Sequence, residues 1–202
     1  AHTRRRSWAL FGIGLLAVVA VASVKAATTG RVIIIQSNSA GDRVSLIDPI
    51  TDTVVGEIAG IEVGHGVVAA PDGSRIYVTN ESLATMDVVD AATLKIVKRI
   101  PLTGPPNNIA IRKDGLRAYA AITGANGGVD IIDTAKLEKI KFIRVLGGVH
   151  NPIMTPDSKF VVAGSIGSAQ ATVIDTQLER AVWSINFADG EGVRVFCFDW
   201  NP

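Results

Sequence analysis

Four short segments of the chain repeat one another at almost equal intervals. Val44-Ser-Leu-Ile-Asp48, Met86-Asp-Val-Val-Asp90, Val129-Asp-Ile-Ile-Asp133 and Ala171-Thr-Val-Ile-Asp175 fall into register at spacings of 42, 43 and 42 residues. Other positions keep that interval to within two residues: Ile58, Ile100, Ile143 and Ile185 close one run, and Arg31, Arg75, Arg117 and Lys159 open another. A fixed period of this length marks an array of one supersecondary unit.

The unit can be read from a single copy. In Pro71-Asp72-Gly73, Pro presets φ, Asp caps nearby backbone and Gly accepts positive φ, so Arg75 to Asn80 follows a turn and reads as a strand. Met86 to Asp90 gives a second strand, Lys95 to Leu102 a third after Ala91-Ala92-Thr93, and Asn108 to Ile111 a fourth before Lys113-Asp114-Gly115. Such a meander cannot cover both of its apolar faces, so successive sheets stack. Radial stacking of four-stranded units is a β-propeller. A β-sandwich also has short, evenly spaced strands, but gives no reason for similarity at every fourth one. The chain is 48% hydrophobic and rich in Val, Ile, Ala and Gly, which suits an all-β protein of half-buried strands and tight turns.

The repeats span residues 27–202, in copies of about 30–70, 71–112, 113–155 and 156–198. Before them, Arg4-Arg5-Arg6, the apolar run Trp8–Val24 and the small residues to Ala27 form the pattern of a signal peptide, with an uncleaved N-terminal anchor as the alternative. The expected location is therefore periplasmic or extracellular. An anchor would be the only contact with a membrane. Residues 1–26 hold four basic and no acidic residues, leaving the rest at a formal charge of −3, which does not suit a nucleic-acid partner. The single cysteine, Cys197, excludes an internal disulfide and cysteine-rich metal or iron–sulfur sites, and no haem attachment motif occurs.

Pro71-Asp-Gly-Ser-Arg-Ile-Tyr-Val-Thr-Asn80, with its Tyr77-Val-Thr-Asn80 tetrapeptide, and Met86-Asp-Val-Val-Asp90 after it resemble the YVTN family of β-propeller repeats. Ala118-Tyr-Ala-Ala121 and Phe160-Val-Val-Ala163 are degenerate copies of the tetrapeptide. The resemblance implies an exported or surface-associated protein related to seven-bladed rings, most of them without assigned chemistry. At about 42 residues per blade, the 176 residues after position 26 make about four blades. The expectation is an incomplete, open ring whose uncovered blade face favours self-association.

Six residues before the turn position stand His65, Asn107 and His150. Equivalent positions lie on a common circle, so these side chains are candidates to bind a ligand at the channel face; the alternative is that each satisfies loop backbone. Two histidines on non-adjacent blades are too far apart to share a small ion, so no metal site is expected, and Gly192 breaks the series. Asp48, Asp90, Asp133 and Asp175 end strands before turns and read as structural repeat positions. No nucleophile elbow occurs, Gly164-Ser-Ile-Gly-Ser168 reads as a loop after a strand, and Gly124-Ala-Asn-Gly-Gly128 as a hairpin turn. Trp183, Phe187, Phe196, Phe198 and Trp200 crowd the last copy, where core packing between blades is the expected use.

With no catalytic residues and no cofactor expected, the sequence points to an exported scaffold binding an unknown protein, cell-envelope component or small molecule. The alternative is a propeller enzyme or redox subunit, similar to lactonases, cytochrome-d1 proteins or amine dehydrogenases, with His65 or His150 at the channel.

Overall fold

A computed structural model describes residues 32–187, and the signal-peptide reading lies outside them, as do Arg31, Gly192, Phe196, Phe198 and Trp200. The described residues form fifteen strands and no helix. The first sheet holds β1 (Ile34–Ser37), β2 (Arg43–Asp48) and β3 (Thr53–Ala59). The second holds β4 (Gly64–Ala69), β5 (Arg75–Asn80), β6 (Thr85–Asp90) and β7 (Lys95–Pro101). The third holds β8 (Pro106–Ile111), β9 (Arg117–Ile122), β10 (Gly128–Asp133) and β11 (Glu138–Arg144). The fourth holds β12 (Val149–Met154), β13 (Phe160–Ser165), β14 (Gln170–Asp175) and β15 (Arg180–Asn186). Each is an antiparallel meander in chain order.

The sheets are offset from the sequence repeat by one strand. β8, the last strand of the repeat that begins at Pro71, pairs with β9 and opens the next sheet. The turn signal between them closes a hairpin within a sheet, so it marks the repeat without marking the sheet boundary. Ser37 pairs with Val44 as Thr79 pairs with Met86, which makes β1 the counterpart of β5. Among the described residues the first sheet therefore has no counterpart of β4.

The strands β4, β8 and β12 run beside one another, whereas β7 and β11 touch little. This is the radial arrangement of a partial, open propeller. Its core lies between sheets: Val44 and Ile58 meet Ile76, Val78 and Val89; Met86, Val88 and Ile100 meet Ala118, Ala120 and Ile132; Val129, Ile131 and Ile143 meet Val161, Ala163 and Ile174. Successive residues of β5 point to opposite seams, so nearly the whole strand is buried. Each large aliphatic side chain so enclosed contributes about 1.5–3 kcal/mol.

The repeated aspartates hold the turns. Asp48 Oδ1 accepts the Ile50 N–H, Asp90 Oδ1 that of Thr93, Asp133 Oδ1 those of Ala135 and Lys136, and Asp175 Oδ1 those of Gln177 and Leu178, all within 2.8–3.0 Å. The basic positions are less regular. Arg75 donates to the Thr134 carbonyl of the next sheet, and Arg117 to Glu179 of the next and Asp133 of its own. The register then breaks: Phe160 occupies the corresponding place in β13, and Lys159 sits one residue earlier in the turn. The cause is the five-residue turn between β9 and β10, closed by a Gly127 N–H to Gly124 carbonyl bond, where β5 and β6 are joined by four.

Candidate functional site

His65, Asn107 and His150 each stand second in β4, β8 and β12, the innermost strands. The register of all three strands shifts there: the ladder is broken between Gly64 and Val67, between Pro106 and Ile109, and between Val149 and Pro152. Two residues thus oppose one on the neighbouring strand, a β-bulge that turns side chains away from the ladder. The bulged pairs are His65-Gly66, Asn107-Asn108 and His150-Asn151.

Hydroxyl groups from neighbouring strands fasten the bulges. Ser37 Oγ donates to the His65 carbonyl at 2.5 Å. Thr79 Oγ1, fully buried, accepts the Gly66 N–H at 2.7 Å and donates to the Asn107 carbonyl of the next sheet. At the third bulge the counterpart is Ala121, and the Asn108 amide reaches the His150 carbonyl at 3.4 Å instead. Close approach at this level requires Gly66, since a Cβ there would lie 2.7 Å from Asn108 Cα.

The side chains form two separate groups. Asn108 Nδ2 donates to Asn107 Oδ1 at 2.9 Å and to Asn151 Oδ1, which joins Asn107 to the third bulge. His150 Nδ1 lies 2.6 Å from Asn151 Oδ1. An amide oxygen only accepts, so in this contact Nδ1 is the donor, and a neutral His150 ring carries its lone pair on Nε2. His65 stands apart, its Nε2 paired with Glu81 just after β5, with about a quarter of the imidazole exposed. Neutral His65 thus also keeps one ring nitrogen, Nδ1, as an acceptor.

The arrangement is suited to binding by hydrogen bonds. It offers imidazole lone pairs, amide N–H groups and one carboxylate on fixed backbone, and among the described residues no three His, Cys, Asp or Glu side chains gather to hold a metal ion. Two fully buried carboxylates lie elsewhere. Asp87 accepts from Asn80, Thr85 and Arg99, and Arg99 donates in turn to the Gly60 carbonyl. Asp130 accepts the N–H and hydroxyl of Thr103 at 2.7 Å each, and burial pushes its carboxyl above the usual range against those two bonds. Both tie connections between sheets and stand on different sheets, so they do not form a catalytic pair.

Sequence reasoning missed Asn108, Asn151 and Glu81. The first two were within reach, being adjacent to two aligned positions and identical to each other. Glu81 was not, because its pairing with His65 follows from the β4–β5 register across sixteen residues.

The aromatic cluster departs from expectation: Trp183 is 53% and Phe187 41% exposed, because no described sheet packs against that face of the fourth.

No protein-family model matches the chain. Over 136 residues it is 24% identical to the seven-bladed beta-propeller protein Rv1057 of Mycobacterium tuberculosis (strain ATCC 25618 / H37Rv), which covers 65% of this chain and 35% of that protein. A solved hydrazine synthase of Kuenenia stuttgartiensis superposes with a TM-score of 0.70 at 32% identity, covering 75% of this chain and 45% of that one. The chain spans less than half the length of either relative. Both likenesses fall on the propeller fold.

Proposed function

We propose that the chain is part of an exported β-propeller of the YVTN kind that binds a partner at the bulged ends of its inner strands, without catalysing a reaction there. The observation that supports this most is the recurrence of one bulge on β4, β8 and β12, each time presenting imidazole or carboxamide groups. Three fixed polar positions on adjacent strands are a binding surface; no nucleophile with an adjacent base accompanies them. Its occupant is a hydrogen-bonding ligand, either a cell-envelope component or a loop of a partner protein. The test is retention of envelope-fraction components by the immobilised full chain and by a His65→Ala, Asn107→Ala, His150→Ala triple variant. The reading expects at least one component to be retained by the first and lost by the second. Equal retention by both, or turnover abolished by the triple change, contradicts it.

A second reading is an enzyme or redox subunit built on a propeller. The likeness to a hydrazine synthase at 32% identity supports it, because that name belongs to an enzyme. Co-purification of a stoichiometric second chain with a bound redox group would favour this reading over the first.

A further inference from the structure

The inner strands end, opposite their bulges, in turns that enclose a second kind of recess. The turns after β4, β8 and β10 bound one cleft, between the second and third sheets. The turns after β8, β12 and β14 bound its counterpart between the third and fourth, with a volume of about 470 Å³. That is an ordinary size for a small-molecule site.

The two clefts differ in one residue at the end of the inner strand. Ala70 and Arg112 hold the same place, each donating its backbone N–H to the carbonyl of the residue that opens the next strand, Arg75 or Arg117. Arg112 Nη2 reaches Asp114 Oδ2 at 2.6 Å, but Arg112 Nε is buried and has no hydrogen-bond partner. Tyr119 is fully buried, and its hydroxyl has no partner either. Its counterpart in β5, Tyr77, lines the first cleft, so the phenol of Tyr119 runs toward the second. Arg112 and Asp114, both in the wall of that cleft, are close enough for their charges to act on it. Among the described residues these are the two buried side-chain polar atoms left unpaired, and they lie at one seam. Buried donors without an acceptor are costly, so two together point to an acceptor from outside the chain.

The rest of the wall narrows what that acceptor is. Its three carboxylates are already engaged: Asp114 accepts the Leu116 N–H, Asp157 that of Lys159, and Asp175 those of Gln177 and Leu178. Two of its cations are paired, Arg112 with Asp114 and Lys159 with Asp157. Lys113, exposed at the rim, makes no ion pair among the described residues. The uncommitted groups are therefore donors carrying one positive charge, which matches a single negative charge; a doubly charged phosphate would meet three carboxylates. Phe160 supplies an apolar side to the cleft.

We propose that the cleft between the third and fourth sheets binds a small organic carboxylate. Its oxygens accept from Arg112 Nε and the Tyr119 hydroxyl, Lys113 balances its charge, and its apolar body lies against Phe160. The site stands at the other end of β8 and β12 from Asn107 and His150, and is independent of the binding surface proposed above.

The test titrates the full chain, in a mild detergent that solvates the apolar run Trp8–Val24, with benzoate, and with inorganic phosphate or chloride at matched ionic strength. The readouts are the Arg112 Nε–H resonance and the Tm. Benzoate should shift the resonance saturably and raise the Tm, and phosphate and chloride should do neither. Tyr119→Phe removes a hydroxyl that has no partner within the protein, and Arg112→Ala installs the residue of the first cleft, so both variants should fold. Each should weaken benzoate binding by about tenfold or more. Absence of a saturable shift overturns the proposal and leaves the two donors to ordered water. So does an equal response to phosphate, which marks an unselective anion site, or benzoate binding undiminished in both variants, which places it elsewhere on the chain.

Discussion

Replacement of Gly66 by alanine tests the junction of the inner strands at one atom. The added Cβ would lie 2.7 Å from Asn108 Cα, 2.8 Å from the Asn107 carbonyl oxygen and 2.9 Å from Ile109 N, all of them backbone. No side chain can rotate out of the way, so β4 and β8 must separate by several tenths of an ångström. That movement strains the bridge in which Thr79 holds the Gly66 N–H and the Asn107 carbonyl together. Overpacking of this kind costs about 1–3 kcal/mol, and the upper end applies because three backbone contacts are violated together. Against it stands about 0.4–1 kcal/mol gained by restricting the unfolded chain. The net loss is about 2 kcal/mol, or a fall in Tm of about 4–8 °C for a chain of this size. Thermal unfolding followed by circular dichroism measures it. Gly73→Ala is the companion: φ is 72° there with nothing within 4 Å, so any loss is local conformational strain. Amide resonances of Asn108 and His150 should shift in Gly66→Ala and stay in place in Gly73→Ala. A Gly66→Ala protein as stable as the parent would refute the close approach of these strands.

Thr79→Val keeps the shape of a buried side chain but strands the Gly66 N–H and the Asn107 carbonyl, so denaturant titration should show a loss of about 1–3 kcal/mol. Tyr119→Phe should act in the other direction: its hydroxyl is buried without a hydrogen-bond partner and burial raises the phenol to about 12, so removal should leave stability unchanged or raise it by up to about 1 kcal/mol. Asp133 is held below the usual carboxylate range by the Lys136 amide, with Arg117 assisting, so its stabilisation is present above the unfolded value near 3.8 and is lost as pH falls through the lower folded value. Asp133→Asn should therefore make the Tm less steep in pH below about 4. Asp130, raised by burial, has the opposite sign, its contribution being lost as pH climbs through the folded value. Nitrogen-15 spectra of the imidazoles should find neutral His150 protonated at Nδ1, and Asn151→Leu should remove that preference.

The repeat disclosed the fold because the same side chains must meet at every seam. Val44, Met86 and Val129 differ in size yet all face the next sheet, paired with Ile58, Ile100 and Ile143. Turn chemistry was legible for the same reason, since an aspartate capping its own turn acts within a few residues. Sheet membership was not. Pro71-Asp-Gly is the loudest local signal, but its hairpin lies inside a sheet, whereas the quieter segment Leu102–Pro105 joins two sheets. The bulges were invisible as well, because a two-against-one pairing has no local composition. His65, Asn107 and His150 were found through their period alone, and their partners Glu81, Asn108 and Asn151 through geometry. The exposure of Trp183 likewise depends on what packs against the fourth sheet, which no pattern within β15 records.

The central claim is that copies about 42 residues apart lie side by side along their first strands. Nuclear Overhauser spectroscopy tests it at Gly66, whose hydrogen occupies the direction that would bring a Cβ to 2.7 Å from Asn108 Cα. A strong cross-peak between the Hα protons of Gly66 and Asn108 is the predicted result. Absence of that peak, with Gly66 connected only to residues of its own sheet, would contradict the arrangement.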